Sequence, residues 1–124
     1  MMATISHAKG ESDPNVWFAD SGTSDHFSPH KELFNSLQQL EKPITIETAE
    51  GTAVGLATGS ILISVIGEND RETILYLNNV VYALKMGSNL FSLMAAYDLG
   101  YETRITPKLV LRIFYEDTVI AQTT

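Results

Sequence analysis

Val16-Trp17-Phe18-Ala19-Asp20-Ser21-Gly22-Thr23 carries a short apolar run of β-forming residues straight into an acid, a hydroxyl and a glycine. Pro14 precedes the run and Ser21-Gly22 ends it, so Val16 to Ala19 reads as a buried strand that stops in a sharp turn. A carboxylate at the end of a buried strand is held by the rigid element behind it. Glycine permits a turn that other residues resist, and neighbouring hydroxyls can bond the loop in place. The Asp-Ser-Gly elbow therefore suits a catalytic acid, although Asp-x-Gly is also an ordinary turn after a strand.

Outward from the elbow the pattern is mainly β. Ile44 and Ile46 alternate with Thr45 and Glu47, and a second segment returns from Thr52 to Thr58 after Glu50-Gly51, which predicts a hairpin with a glycine at its tip. Further strands are expected over Ser60 to Ile66, Thr73 to Ala83, Thr103 to Thr106 and Leu109 to Phe114. Alternation at Leu109, Leu111 and Ile113 suggests a terminal hairpin packed on the core or on a partner. Two segments read as helical. Leu33, Phe34, Leu37 and Leu40 recur at helical spacing between Pro29 and Leu40. Asn89 to Leu99 has helix formers, with Asn89 as N-cap and Gly100 at C′. Residues 1–15 are small or polar and read as a flexible arm, leaving 16–124 as the ordered domain. Many short strands with one late helix predict an all-β barrel or sandwich.

The chain has 124 residues, enough for one core and too few for two ordinary domains. A net charge of −7 without any Lys/Arg cluster repels a phosphate backbone, so direct nucleic-acid binding is not expected. With no cysteine, a disulfide framework, a thiolate metal site and cysteine-protease chemistry are all excluded. No apolar run approaches the roughly 20 residues of a spanning helix, so no membrane role is expected.

Hydrolysis by carboxylates needs a pair sharing one proton, one ionised to take a proton from water and the other neutral to donate. Two carboxylates about 3 Å apart do not both ionise easily. One elbow supplies only one acid. The other Asp-x-Gly, Asp98-Leu99-Gly100, has no apolar strand leading into it and reads as a helix end. The second carboxylate must then come from another copy, with Asp20 facing Asp20 across a two-fold axis in a homodimer.

At this point the sequence resembles the proteases of copia-type LTR retrotransposons, distant relatives of retroviral proteases. The resemblance rests on Trp-Phe-Ala-Asp-Ser-Gly-Thr-Ser-Asp-His-Phe at 17–27, then Leu77-Asn78-Asn79-Val80-Val81-Tyr82, then Asn89-Leu90-Phe91-Ser92, and it covers roughly Val16 to Thr124. It implies a retropepsin-like closed β-barrel, the acid protease fold, with a flap hairpin and one short α-helix in the C-terminal half. It implies Asp20 as the catalytic acid, with Ser21, Gly22 and Thr23 forming the loop that braces the pair. Thr48, Ala49, Glu50, Gly51, Thr52 and Ala53 become the flap over an extended polypeptide, the element's own Gag-Pol polyprotein. No cofactor or metal is implied, and the location is cytoplasmic, within virus-like particles. Met86-Gly87-Ser88-Asn89 fits the retroviral pattern only partly, because Lys85 and Ser88 replace an apolar residue and an arginine. Thr23 stands where alanine is commoner and adds a hydroxyl.

Several other readings compete. His26 and His30 are spaced to share a helix face and bind zinc, but Pro29 breaks that helix, and a partly exposed His26 bonded to backbone is the ordinary reading. No Gly-x-Ser-x-Gly elbow supports a serine mechanism. Glu50 at the flap tip could favour basic or polar peptide segments, though a surface turn explains it as well. A domesticated relative that keeps the fold as a dimerisation or peptide-binding module, and a host protease of the retroviral type, complete the alternatives.

Overall fold

The computed structural model describes residues 4–6, 13–48, 51–105, 111–116 and 118–122. The described residues form ten strands, one short α-helix and three single 3-10 turns. β1 (Thr4–Ser6), β2 (Val16–Asp20), β3 (Phe27–Ser28), β4 (Ser36–Thr48), β5 (Gly51–Ile66), β6 (Glu72–Tyr82) and β7 (Asn89–Ser92) form one sheet in the order β1-β2-β7-β3-β6-β5-β4. β8 (Tyr101–Ile105), β9 (Leu111–Tyr115) and β10 (Thr118–Gln122) form a second, antiparallel sheet, and α1 (Leu93–Asp98) joins the two. The larger sheet is a half-barrel, consistent with the all-β barrel expected from the sequence.

The two sheets enclose one core. Trp17 is fully buried, and Ile61, Ile63, Val65, Leu75, Leu77, Val80 and Phe91 of the large sheet pack with Ile113 and Ala121 of the small one. While Leu109 of the expected alternation lies outside the described residues, the terminal hairpin packs on the core of its own chain through Ile113. Gly67 shows how closely: a Cβ there would come within 3.0 Å of the Ile120 backbone. A smaller cluster of Phe27, Ala53, Val81, Ala83 and Met86, with Ile46 and Leu90 against it, ties the β4–β5 hairpin to the strand after the elbow.

The structure corrects two expectations and adds a strand ahead of Val16. First, the segment from Pro29 to Leu40 is no helix; it makes one 3-10 turn at Lys31–Leu33 and then enters β4. The 13-residue β4 takes its hydrogen bonds from β5, and the two backbones come so close that a Cβ on Gly59 would lie 1.8 Å from the Ser36 carbonyl oxygen. Leu33 and Phe34 still reach the core, Phe34 with its ring 5.9 Å from Tyr82, so the apolar spacing reports packing and not helix. Second, the late helix starts at Leu93 and not after Asn89, and its N-cap is Ser92, whose Oγ accepts the Ala95 N–H at 3.0 Å. Gly100 does take the left-handed conformation expected of it, at φ +95°. Within the expected arm, Thr4–Ser6 pairs in parallel with β2, and Ile5 is 2% exposed in the core. Ser60 to Ile66 also proves continuous with the flap's returning strand as the single β5.

Candidate active site

Asp20 is the last residue of β2, a strand flanked by parallel neighbours on both sides, β1 and β7. Its partly buried carboxylate turns back over the elbow, where Oδ1 accepts the Gly22 N–H at 2.7 Å. That is an Asx-type turn, which fixes the carboxylate relative to the loop. A Cβ on Gly22 would sit 3.3 Å from the same oxygen, so glycine keeps the carboxylate uncrowded. Among the described residues Oδ2 has no hydrogen-bond partner. Ser21 and Gly22 are exposed. Thr23 is half-buried, its hydroxyl donating to the Asp25 carbonyl within the loop at 3.1 Å.

The return leg of the loop is held by β7. Asp20 pairs in register with Ser92, and the Ser92 Oγ donates to the Thr23 carbonyl at 2.7 Å. The Ser92 N–H donates to Nδ1 of His26 at 2.9 Å. His26 is 3% exposed, with its ring 4.9 Å from that of Phe91, and burial pulls its pKa from 6.5 down to about 4. The expected backbone bond of His26 is present, but the side chain is buried, not partly exposed. With Nδ1 committed to Ser92, that nitrogen cannot also ligate a metal. His30 lies apart, its Nδ1 3.6 Å from Glu32. No cluster of metal-ligating side chains occurs among the described residues.

Asn89 secures the other end of β7. Fully buried, its Nδ2 donates to the carbonyls of Pro14 and Val16, each at 3.1 Å, and more weakly to Asp13 at 3.5 Å. Its Oδ1 accepts the Ser28 hydroxyl at 2.5 Å. A buried amide needs such partners, and helix N-capping would have left most of them unmade. Asn89 and Ser92 bracket the elbow from both ends of one short strand, a role invisible in sequence because every partner is distant along the chain. Only the paired occurrence of the two motifs signals it.

The predicted flap is partly in view. Thr48 pairs with Gly51 at the end of the β4–β5 ladder, while Ala49 and Glu50 lie outside the described residues. Gly51 has φ +128°, a conformation reserved for glycine, and Thr52 is exposed. Ala53 is 3% exposed inside the smaller cluster, where it anchors the hairpin. The second Asp-x-Gly lies, as expected, at the end of α1.

No curated protein and no solved structure matches the chain. A family model described as the beta-barrel domain of Pol polyproteins matches residues 17–101, from the tryptophan before the elbow, through the hairpin and both bracketing residues of β7, to the first residue of β8. By that match this chain belongs to the Pol polyprotein beta-barrel domain family, and it derives from the Pol polyprotein of a retroelement.

Proposed function

We propose that this Pol-derived domain is the aspartic endopeptidase of a copia-type retrotransposon, active as a homodimer in which each chain supplies Asp20. The observation that carries the reading is the elbow itself: a carboxylate at the end of an interior strand, oriented by the Gly22 amide and braced through Thr23 by Ser92. Held in this way, two such carboxylates related by a two-fold axis share one proton, draw a second from water and donate to the scissile carbonyl. Ser21 and Thr23 brace the paired loops, and the hairpin from Thr48 to Ala53 closes over an extended segment of Gag-Pol bound as an added strand. Processing takes place in the cytoplasm within virus-like particles.

The test uses oxidised insulin B chain as polypeptide, at mildly acidic pH and at protein concentrations where sedimentation shows a dimer. Asp20→Asn is expected to keep the fold and the dimer and to lower turnover by about 10²–10⁴-fold. A pepstatin-type inhibitor should tighten the wild-type dimer. Turnover near wild type in Asp20→Asn overturns the assignment. A dimer indifferent to the inhibitor and without turnover identifies a binding module instead.

A further inference from the structure

Ser92 commits its N–H and both sides of its hydroxyl. Its N–H meets His26, its hydroxyl hydrogen meets the Thr23 carbonyl, and its oxygen caps α1 through Ala95. The loop from Asp20 to His26 is consequently fastened at both ends to one residue, since Asp20 itself pairs in register with Ser92. The fastening to His26 has a chemical condition. Nδ1 accepts a proton-bearing amide, so the ring must be uncharged with its hydrogen on Nε2; an imidazolium would present N–H to N–H and open the contact.

The surroundings favour the uncharged ring. Around it stand Leu75 and Leu77 of β6, Phe91 of β7, Ala96 of α1, Tyr101 of β8 and Ile113 of β9, lining a cavity of about 10 Å³. Of these only Tyr101 bears an ionisable group, a phenol. Asp25 is next in the chain but exposed, its carboxylate taking the Ser24 hydroxyl at 3.4 Å. No anion among the described residues offsets the cost of charging the ring.

We infer that His26 and Ser92 are positioning residues for Asp20, forming a clamp that holds the elbow only while His26 is uncharged and that releases it at the acid end of the pH range. The burial that lowers the His26 pKa to about 4 keeps the clamp closed through the mildly acidic range in which a carboxylate pair works. The kinetic part of this inference rests on the reading of Asp20 as catalytic acid; the structural part does not.

Two measurements on the whole chain separate them. In the first, NMR follows the His26 ring nitrogens and the exchange of the Ser92 and Gly22 amides between pH 7 and pH 3.5. His26 is expected as the Nε2–H form down to about pH 4, with both amides protected until it titrates. His26→Phe keeps a ring but loses the acceptor, and Ser92→Ala loses the hydroxyl. Each should speed Gly22 exchange by about tenfold or more while amides of β5 such as Ile63 stay protected. His26→Asn offers an acceptor that does not titrate and should restore protection without the pH dependence. Unchanged Gly22 exchange in both folded variants, or a His26 ring that charges near 6.5, overturns the clamp. If one variant does not fold, the other decides.

In the second, cleavage of oxidised insulin B chain is measured for the same proteins. Clamp variants should lose about 10²-fold in kcat with little change in KM, and His26→Asn should recover most of it and lose the acid limb assigned to His26. A wild type that shows clamp-dependent exchange but cleaves nothing removes the protease reading and leaves the clamp. A wild type that cleaves, with kcat unmoved in the variants, does the reverse.

Discussion

The elbow and the hairpin are both loops set on strands, yet they are built in opposite ways. The elbow is held by buried side chains whose partners lie 61 to 76 positions away: Ser28 to Asn89, His26 to Ser92, Thr23 to Ser92, and Asn89 back to the chain before and within β2. The β4–β5 hairpin is held by a local backbone ladder between strands of 13 and 16 residues, with most of β4 exposed at the sheet edge. Long-range polar bonds in a dry interior fix geometry sharply and fail together. A ladder at a sheet edge opens locally at small cost. Rigidity is thereby concentrated where a carboxylate needs a defined direction, and compliance where a cover would need to move.

The harshest way to break the comparison is Asn89→Ala. It removes the donor to the carbonyls of Pro14 and Val16 and takes the acceptor from the buried Ser28 hydroxyl hydrogen, leaving that oxygen only its bond from the His30 N–H, and should cost about 3–5 kcal/mol in urea unfolding, with loss of β2 order. Acid comes next. The folded His26 pKa, about 4, lies below the unfolded 6.5, so the unfolded chain binds the proton first as pH falls. Stability is fullest above 6.5, declines on the order of 3 kcal/mol as pH drops to about 4, and loses nothing more from this group below that. The corresponding slope should be absent in His26→Asn. The hairpin should respond least: Gly51→Ala, forced to keep φ +128° or reshape the tip, should cost about 1–2 kcal/mol and raise hydrogen exchange only near the tip. A global loss from that change as large as that of Asn89→Ala would show that the hairpin is not the compliant half.

The elements legible in the sequence were those whose partners are near in the chain or whose pattern is repeated. The strand into Asp20, the hairpin returning through Gly51, the terminal strands and the left-handed Gly100 follow from local rules. Leu33, Phe34, Leu37 and Leu40 misled because helical spacing also arises when a short turn drops two residues into the core and a strand begins beyond it. Asn89 misled because asparagine before helix formers is a good cap, and only a folded neighbour reveals three carbonyls waiting for its amide. Ile5 was missed for a related reason: three residues in a polar stretch carry no periodicity, and their burial exists only beside β2. Asp20 was readable as a candidate acid, but the hold on it through Ser92 and His26 was not.

The parallel pairing of β1 with β2 matters for anyone who trims this protein. Versions shortened to start at Val16 would convert the acid-bearing strand into a margin of the sheet, with a row of bare amides and carbonyls inviting stray strand addition, and would leave a hole beside Trp17 where Ile5 had been. Solubility and self-association of such truncated forms would then report on an artificial seam, so leading residues that look dispensable belong in any version used to judge whether the molecule pairs.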